Sequence, residues 1–193
     1  MKKSGCLMTG IGGLVVLLLI GGAFFVSGYN KAAQMEETVR KAWGNVENVL
    51  QRRFDLIPNL VETVKGYASH EEEIFTRVAE ARSAYQSAVT PKDKIAATNA
   101  MEGALSRLLA VVENYPDLKA SENFLRLQDE LAGTENRIAV ERNRYNEEAE
   151  IFRSYSRSLI GGLFIKIRGI DWEKYDYFQA AEGAQTAPQV KFD

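Results

Sequence analysis

The chain has 193 residues, a formal net charge of −2 at pH 7, one cysteine and one histidine. A charge so close to neutral gives no electrostatic basis for binding nucleic acid. The single cysteine excludes an intramolecular disulfide framework, and the single histidine, His70, argues against most metal centres and histidine-based catalytic triads. We therefore expect no cofactor and no resident metal.

The first predicted element is an apolar anchor. No charged residue occurs between Ser4 and Asn30, and residues 7–26 form an apolar run of 20 residues. A bilayer core about 30 Å thick needs about 20 such residues in a helix. We expect residues 1–28 to be a single-pass transmembrane anchor. The alternative is a cleaved signal peptide that begins with Lys2 and Lys3, but this apolar run is longer than usual and its cleavage signal is weak.

The first helix beyond the anchor is expected from about residue 29 to residue 68. Its apolar side chains recur at alternating spacings of three and four, as on the buried face of a bundle helix. They are Trp43, Val46, Leu50, Ile57, Leu60, Val64 and Tyr67, with Arg53 as the charged exception. Pro58 lies inside this pattern and predicts a bend near residues 54–57, because proline removes a backbone hydrogen bond.

Two shorter helices follow. Ser69 and Glu72 fit a capping box, which predicts that the second helix begins at Ser69. Thr90 is the predicted N-cap of the third helix, with Pro91 at its first position. We expect the third helix to end at Pro116.

The fourth helix is expected over residues 121–159. Apolar residues recur every seven positions along it, a spacing typical of supercoiled packing; they are Phe124, Leu131, Ile138, Tyr145, Phe152 and Leu159. A polar stripe with Gln128, Glu135 and Arg142 lies four residues on. This stripe has two interpretations: the edge of the seam in water, or a polar network inside the bundle in which Glu135 pairs with Arg53. A buried charge requires such a partner.

These elements predict an all-α fold: an N-terminal transmembrane helix followed by an antiparallel up-down four-helix bundle, with two long and two short helices, over residues 29–160. Because the short helices reach only half the length of the long ones, the membrane-proximal half should be a two-helix stalk. Its seam residues Trp43, Val46, Tyr145 and Phe152 would be insufficiently covered. Exposed apolar stripes usually mark association surfaces, so we expect a homo-oligomer formed through the stalk.

The last region is aromatic. We expect Gly161 and Gly162 to break the fourth helix, and residues 161–178 to form a membrane-proximal segment. Its aromatic residues have basic neighbours, as is common at the surface of a lipid bilayer; they are Phe164, Trp172, Tyr175, Tyr177 and Phe178. Packing of these aromatic side chains on the bundle is the alternative. Residues 179–193 are expected to be a tail.

Several motifs resemble the signatures of the LemA family. They are QRRFDLIPNLVETVKGYA at 51–68, YPDLKA at 115–120, LRLQDEL at 125–131, TENRI at 134–138 and PQVKF at 188–192. The resemblance spans about residues 29–192 and implies a bacterial single-pass protein of the inner membrane with a helical-bundle domain. It implies no particular activity. After Asn146 the chain departs from the family pattern, with Phe152-Arg153 and Leu159-Ile160 in place of the expected residues.

The leading functional hypothesis is a non-enzymatic scaffold that self-associates and organises membrane or envelope partners, including other membrane proteins. The alternative is a receptor or sensor module that binds a ligand in a polar groove lined by Arg52, Asp55, Asn59, Glu135 and Asn136. The sequence has no Gly-rich phosphate loop and no nucleophile elbow. Basic residues directly before the anchor favour a domain on the periplasmic or extracellular side, although the count on the two sides is nearly even.

Overall fold

The computed structural model describes residues 3–179, and the side chains of residues 12–179. Within this range the protein is all-α, as predicted, and contains no strand. The helices are α1 (Lys3–Lys65), α2 (Glu72–Ser87), α3 (Pro91–Val112), α4 (Pro116–Lys119), α5 (Glu122–Arg157) and α6 (Leu159–Arg168). The predicted tail lies outside the described residues except for Gln179.

The anchor and the first helix of the body are a single helix. Helix α1 runs unbroken over 63 residues, which corresponds to about 95 Å at 1.5 Å per residue. Its large apolar side chains from Leu14 to Val26 are exposed, whereas one face is buried from Ala32 onward. Pro58 lies inside α1 without ending it, and the bend near residues 54–57 stays a prediction.

Among residues 12–179, two helices are long and apolar enough to cross a bilayer, α1 from Gly12 and α3. They differ in burial. The most apolar stretch of α1 is wholly exposed, whereas eight residues of α3 are buried, from Ile95 to Val112. The apolar character of α3 is therefore explained by the protein core, and α1 is the membrane candidate.

Helices α1 and α5 form the longest contact in the body. Gly28 meets Tyr155, Trp43 meets Tyr145, and Arg53 meets Glu135. Because the residue numbers rise on one helix as they fall on the other, the two helices are antiparallel. The predicted heptad residues of α5 are buried at this contact, except Leu159, which belongs to α6 and is 92% exposed.

Helices α2 and α3 form a second pair, which packs on the far half of α1. The ring of Tyr85 on α2 stacks on Phe54 of α1, with 4.0 Å between ring centroids. Lys94 at the start of α3 makes an ion pair with Glu47 of α1. These contacts place the α2–α3 pair at the end of α1 that is remote from the anchor.

Only one of the two predicted helix starts is correct. Thr90 caps α3, since its hydroxyl accepts a hydrogen bond from the Asp93 N–H at 3.1 Å, and Pro91 is the first helical residue. The capping box at Ser69 is wrong, because α2 begins at Glu72 after a series of turns. The N–H of buried Ala68 still donates to the carbonyl of Val64, which keeps Ser69 out of the capping position.

The predicted ends of the third and fourth helices are also corrected. Helix α3 ends at Val112, and Pro116 instead begins the short helix α4. Helix α5 ends at Arg157, so Gly161 and Gly162 lie inside α6 rather than between helices. Ser158 makes the corner: its hydroxyl donates to the carbonyl of Tyr155 at 2.7 Å and accepts from the N–H of Gly161 at 3.1 Å.

The two glycines allow this corner to be tight. A Cβ at Gly161 would collide with the backbone oxygen of Tyr155, and one at Gly162 would lie 2.9 Å from that of Ser156. A side chain at either position would push α6 away from the end of α5. The glycine pair therefore permits a close approach of two helices and does not act as a helix breaker.

Candidate functional site

The seam of the α1–α5 pair nearest the exposed apolar stretch of α1 is covered by the C-terminal strap, which we define as residues 170–178. The ring of Phe178 stacks on Trp43 at 5.9 Å and meets the edge of Tyr145 at 5.8 Å, while Tyr175 meets Phe152 at 5.7 Å. Trp43, Tyr145 and Phe152, which these rings contact, are buried, and Val46 is buried as well. The prediction that these four side chains lie uncovered is therefore wrong.

Side chains of α5 hold the strap by its backbone. The amide of Asn146 donates to the carbonyl of Phe178 at 2.8 Å, and its oxygen accepts from the N–H of Phe178 at 2.9 Å. Arg153 donates to the carbonyl of Tyr175 at 3.1 Å, and its guanidinium lies over the ring of Tyr177 at 4.8 Å. Neither Asn146 nor Arg153 was singled out from the sequence, because a residue that binds backbone leaves no pattern in side-chain types.

The aromatic residues predicted for the membrane interface pack on the body instead. Phe164, Tyr175 and Phe178 are buried, and Trp172 and Tyr177 are half-buried against the core. Burial raises the pKa of the Tyr175 hydroxyl above its ordinary value. The assignment of these five residues to the bilayer surface is therefore wrong, and the alternative of packing on the helices describes them. Aromatic rings suit both environments, so composition alone did not separate the two.

A balanced network of charges joins three helices in the body. Arg53 on α1 pairs with Glu135 on α5, and Glu102 on α3 pairs with Arg142 on α5. Arg53 also lies 4.0 Å from Glu102. The side chains of Arg53 and Arg142 are only 13% and 17% exposed, so each guanidinium depends on these carboxylates for compensation.

The network differs from the predicted one in two members. Gln128, which the sequence placed in the polar stripe, is exposed to solvent. Glu102 was missed, because it belongs to another helix and carries no signal of its partner in the sequence. The interpretation of the stripe as a polar network between helices thus applies to Glu135 and Arg142.

The proposed ligand groove is not formed. Arg52, Asp55, Asn59 and Asn136 are all exposed on the outer faces of α1 and α5. The carboxylate of Asp55 accepts a hydrogen bond from Gln51 of its own helix at 2.8 Å. A shallow pocket of about 410 Å³ lies elsewhere, between α2 and α3, and its lining is mostly alanine and glycine. The structure therefore does not bring the predicted groove residues together.

Two tyrosines in the body have strongly perturbed hydroxyls. Burial, with a smaller contribution from the Glu47 carboxylate, raises the pKa of Tyr85 to about 12. Burial also raises the pKa of Tyr145 well above its ordinary value, and its hydroxyl has no hydrogen-bond partner among the residues that the structure describes. Both residues stabilise the fold in their neutral form, because an ionised phenol would have to leave these apolar contacts.

Fold and surfaces together define an all-α protein whose exposed apolar N-terminal helix, long enough to cross a bilayer, continues directly into a helical body. The chain belongs to the LemA family, and the match to the family covers residues 42–192. That range includes the body from Ala42 onward, α6 and the strap. It leaves out the anchor.

The individual relatives share about a quarter of the aligned residues with this chain. The chain is 26% identical over 184 residues to magnetosome protein MamQ 2 of Paramagnetospirillum magneticum, covering 82% of this chain and 67% of the relative. It is 26% identical over 191 residues to magnetosome protein MamQ of Magnetospirillum gryphiswaldense, covering 84% and 70%. It is 25% identical over 147 residues to protein LemA of Metamycoplasma hominis, covering 73% and 66%.

Proposed function

We propose that the protein is a non-enzymatic, membrane-anchored scaffold that self-associates and organises other membrane or envelope components. The observation that carries this proposal is the continuity of α1, which takes an exposed apolar stretch into the buried seam of the body without a loop. In this proposal α1, α2, α3 and α5 form an antiparallel up-down four-helix bundle. The bundle is held at a fixed distance from the bilayer.

The use of polar groups in the body supports a role without catalysis. The charge network ties α1, α3 and α5 together, and the hydrogen bonds of Asn146 and Arg153 fix the strap. These groups hold the helices and the strap in place, and Arg153 also lines an open surface pocket with Glu150, Arg157 and Tyr177. Three relatives are named for a cellular body, the magnetosome, and not for a reaction.

We place the protein in a bacterial inner membrane, with the body on the periplasmic or extracellular side. The basic residues that directly precede the apolar run favour this orientation. Val89, at the turn after α2, is 87% exposed and far from the anchor. In a Cys6→Ser background, a cysteine at position 89 should react with a membrane-impermeant maleimide in whole cells. Labelling only after lysis would reverse the orientation.

Self-association is proposed to use the anchor, because the strap covers the stalk seam. A Cβ added at Gly21 or Gly22 would meet nothing within 4 Å, so this part of α1 can be approached closely by another helix. Small residues at such positions let membrane helices pack backbone to backbone.

Light scattering of the full-length protein in mild detergent tests this proposal. We expect a discrete oligomer, which Gly21→Leu with Gly22→Leu should dissociate. The matched control is Gly12→Leu with Gly13→Leu, at positions that are equally open and nearer the N-terminal end of the helix. A monomer at every concentration would refute self-association and favour a module that acts on an outside partner.

A further inference from the structure

Helix α6 is apolar on both of its faces. Phe164 and Ile165 point inward and are buried. The outward face carries four large apolar side chains with about half or more of their surface exposed: Leu159, Ile160, Leu163 and Ile167. A helix that is hydrophobic all round is normally covered on every side. The outward face of α6 therefore lacks a cover within the described part of the chain.

The contacts of α6 place it where the apolar run of α1 ends. Just before α6, the Tyr155 hydroxyl donates to the carbonyl of Gly28 at 3.4 Å. In its middle, the Phe164 ring lies 6.4 Å from that of Phe24 and 5.6 Å from that of Phe25. At its end, the Arg168 guanidinium lies 4.3 Å from the centre of the Tyr29 ring.

Because Phe164 in its middle and Arg168 at its end meet residues 24–29 of α1, as does Tyr155 on α5 just before it, helix α6 crosses α1 at one level. That level is the last turn of the exposed apolar stretch, which ends at Val26. A bilayer that covers the side chains from Leu14 to Val26 therefore reaches the outward face of α6. Both exposed apolar faces therefore lie at one level, and a single bilayer can cover both.

The charges around α6 are of one sign. No acidic residue occurs between Arg157 and Asp171, and Lys166 and Arg168 lie in the last turn of the helix. Lys166 is exposed beside Leu163 and Ile167 on the outward face. Apolar side chains with basic neighbours are the composition of helices that lie in a membrane interface and attract anionic lipids.

We propose that α6 lies flat in the bilayer interface, with Leu159, Leu163 and Ile167 at the boundary between headgroups and acyl chains and Lys166 among anionic phospholipid headgroups. The proposal rests on the anchoring proposed above. It assigns the bilayer contact to these residues and not to the aromatic residues of the strap.

The test uses full-length protein in a Cys6→Ser background, reconstituted at low protein density into vesicles of phosphatidylcholine and phosphatidylglycerol. The variant Leu163→Cys carries an environment-sensitive fluorophore, and nitroxide lipids quench it from a shallow or a deep position in the acyl chain. Leu17→Cys reports the anchor, and Val140→Cys is the matched exposed position on α5. We expect a blue-shifted emission with mainly shallow quenching at 163, deep quenching at 17 and neither at 140.

Each other outcome overturns a defined part of the proposal. A label at 163 that resembles the one at 140, while 17 is quenched, removes α6 from the interface and leaves the anchor intact. Loss of quenching at 17 refutes the anchoring and, with it, this inference. A blue shift at 163 that rises with protein density and resists lipid quenching assigns the face to a second copy of the chain.

The headgroup contact is tested in the same vesicles. Replacing phosphatidylglycerol by phosphatidylcholine should weaken the shallow quenching at 163, and Lys166→Gln should abolish that dependence on lipid charge. If the shallow quenching at 163 is the same in both lipid mixtures, both with Lys166 and with Lys166→Gln, the anionic headgroup contact is refuted.

Discussion

Replacing Asn146 by alanine should release the C-terminal strap from α5. The side chain of Asn146 is half-buried and makes two hydrogen bonds to the backbone of Phe178. No other side chain in the described region binds both backbone groups of a single strap residue. The substitution therefore removes a paired contact and leaves the aromatic rings of the strap unchanged.

The size of the effect follows from the two hydrogen bonds. Each contributes about 0.5–1.5 kcal/mol net, and an unpaired group that stays out of water costs more. We expect the free energy for local opening of the strap to fall by about 2 kcal/mol. Since about 1.4 kcal/mol corresponds to tenfold, amide exchange in the strap should accelerate roughly 30-fold. The same two bonds also stabilise the folded state against global unfolding, so the global unfolding free energy should fall by no more than about 2 kcal/mol.

Hydrogen exchange of the full-length protein, read by mass spectrometry, measures this effect. A peptide covering residues 170–178 should lose protection, while amides of α2 and α3 that exchange through local fluctuations should not. Asn143→Ala is the matched control, since Asn143 lies one turn earlier on α5 and is exposed. Unchanged exchange in the strap, or an equal acceleration by the control, would refute the assignment of Asn146 as its anchor point.

Three further predictions concern the body. Glu102→Ala should lower the free energy of unfolding, measured by urea denaturation, by about 1–2 kcal/mol. This is less than the loss of a fully buried ion pair costs, because the carboxylate of Glu102 is partly solvated. Gly161→Ala should cost about 1–3 kcal/mol in the same assay, since the added methyl group collides with the corner between α5 and α6. Tyr85→Phe should reduce the loss of stability at alkaline pH. Because the pKa of Tyr85 is raised from 10.0 to about 12, its neutral hydroxyl stabilises the folded protein fully below pH 10.0, and this stabilisation is lost progressively as the pH rises to about 12.

Each of these predictions has its control. Glu73→Gln alters an exposed pair with Arg77 and should change stability by no more than about 0.5 kcal/mol. Gly133→Ala adds a methyl group where nothing lies within 4 Å and should stabilise α5 by about 0.5–1 kcal/mol. For Tyr85→Phe, the comparison is made between pH 8 and pH 11 against the unmodified protein, and parallel curves would contradict the role of its buried hydroxyl.

Periodicity predicted the helices of this protein because their apolar faces are buried at regular intervals. The heptad positions of α5 from Phe124 to Phe152 are buried, and the spacing that placed Arg53 in the seam of α1 places it beside Glu135. The residues at which the helices begin were predicted less well. Thr90 followed by Pro91 is a strong local signal for the start of a helix. Ser69 does not cap a helix, and Ala68, one residue earlier, is buried with its N–H still bonded to the carbonyl of Val64.

The cover of the stalk could not be predicted by the same reasoning. The strap has no regular secondary structure, so it carries no period that indicates which surface it packs on. Its register on α5 depends on the hydrogen bonds from Asn146 and Arg153 to backbone groups, which every residue possesses. The same limit applies to the outward face of α6, because its exposure follows from the corner that Ser158 makes.

The unbroken course of α1 makes the body a lever. From Val26 to Lys65 the helix extends about 58 Å, and the α2–α3 pair is attached to its far half. Membrane helices tilt by about 20° on average, which displaces the far end of such a lever sideways by about 20 Å. In the proposed membrane-anchored arrangement, a change in bilayer thickness that alters the tilt of α1 would therefore be converted, without a loop between anchor and body, into a large movement of the α2–α3 pair.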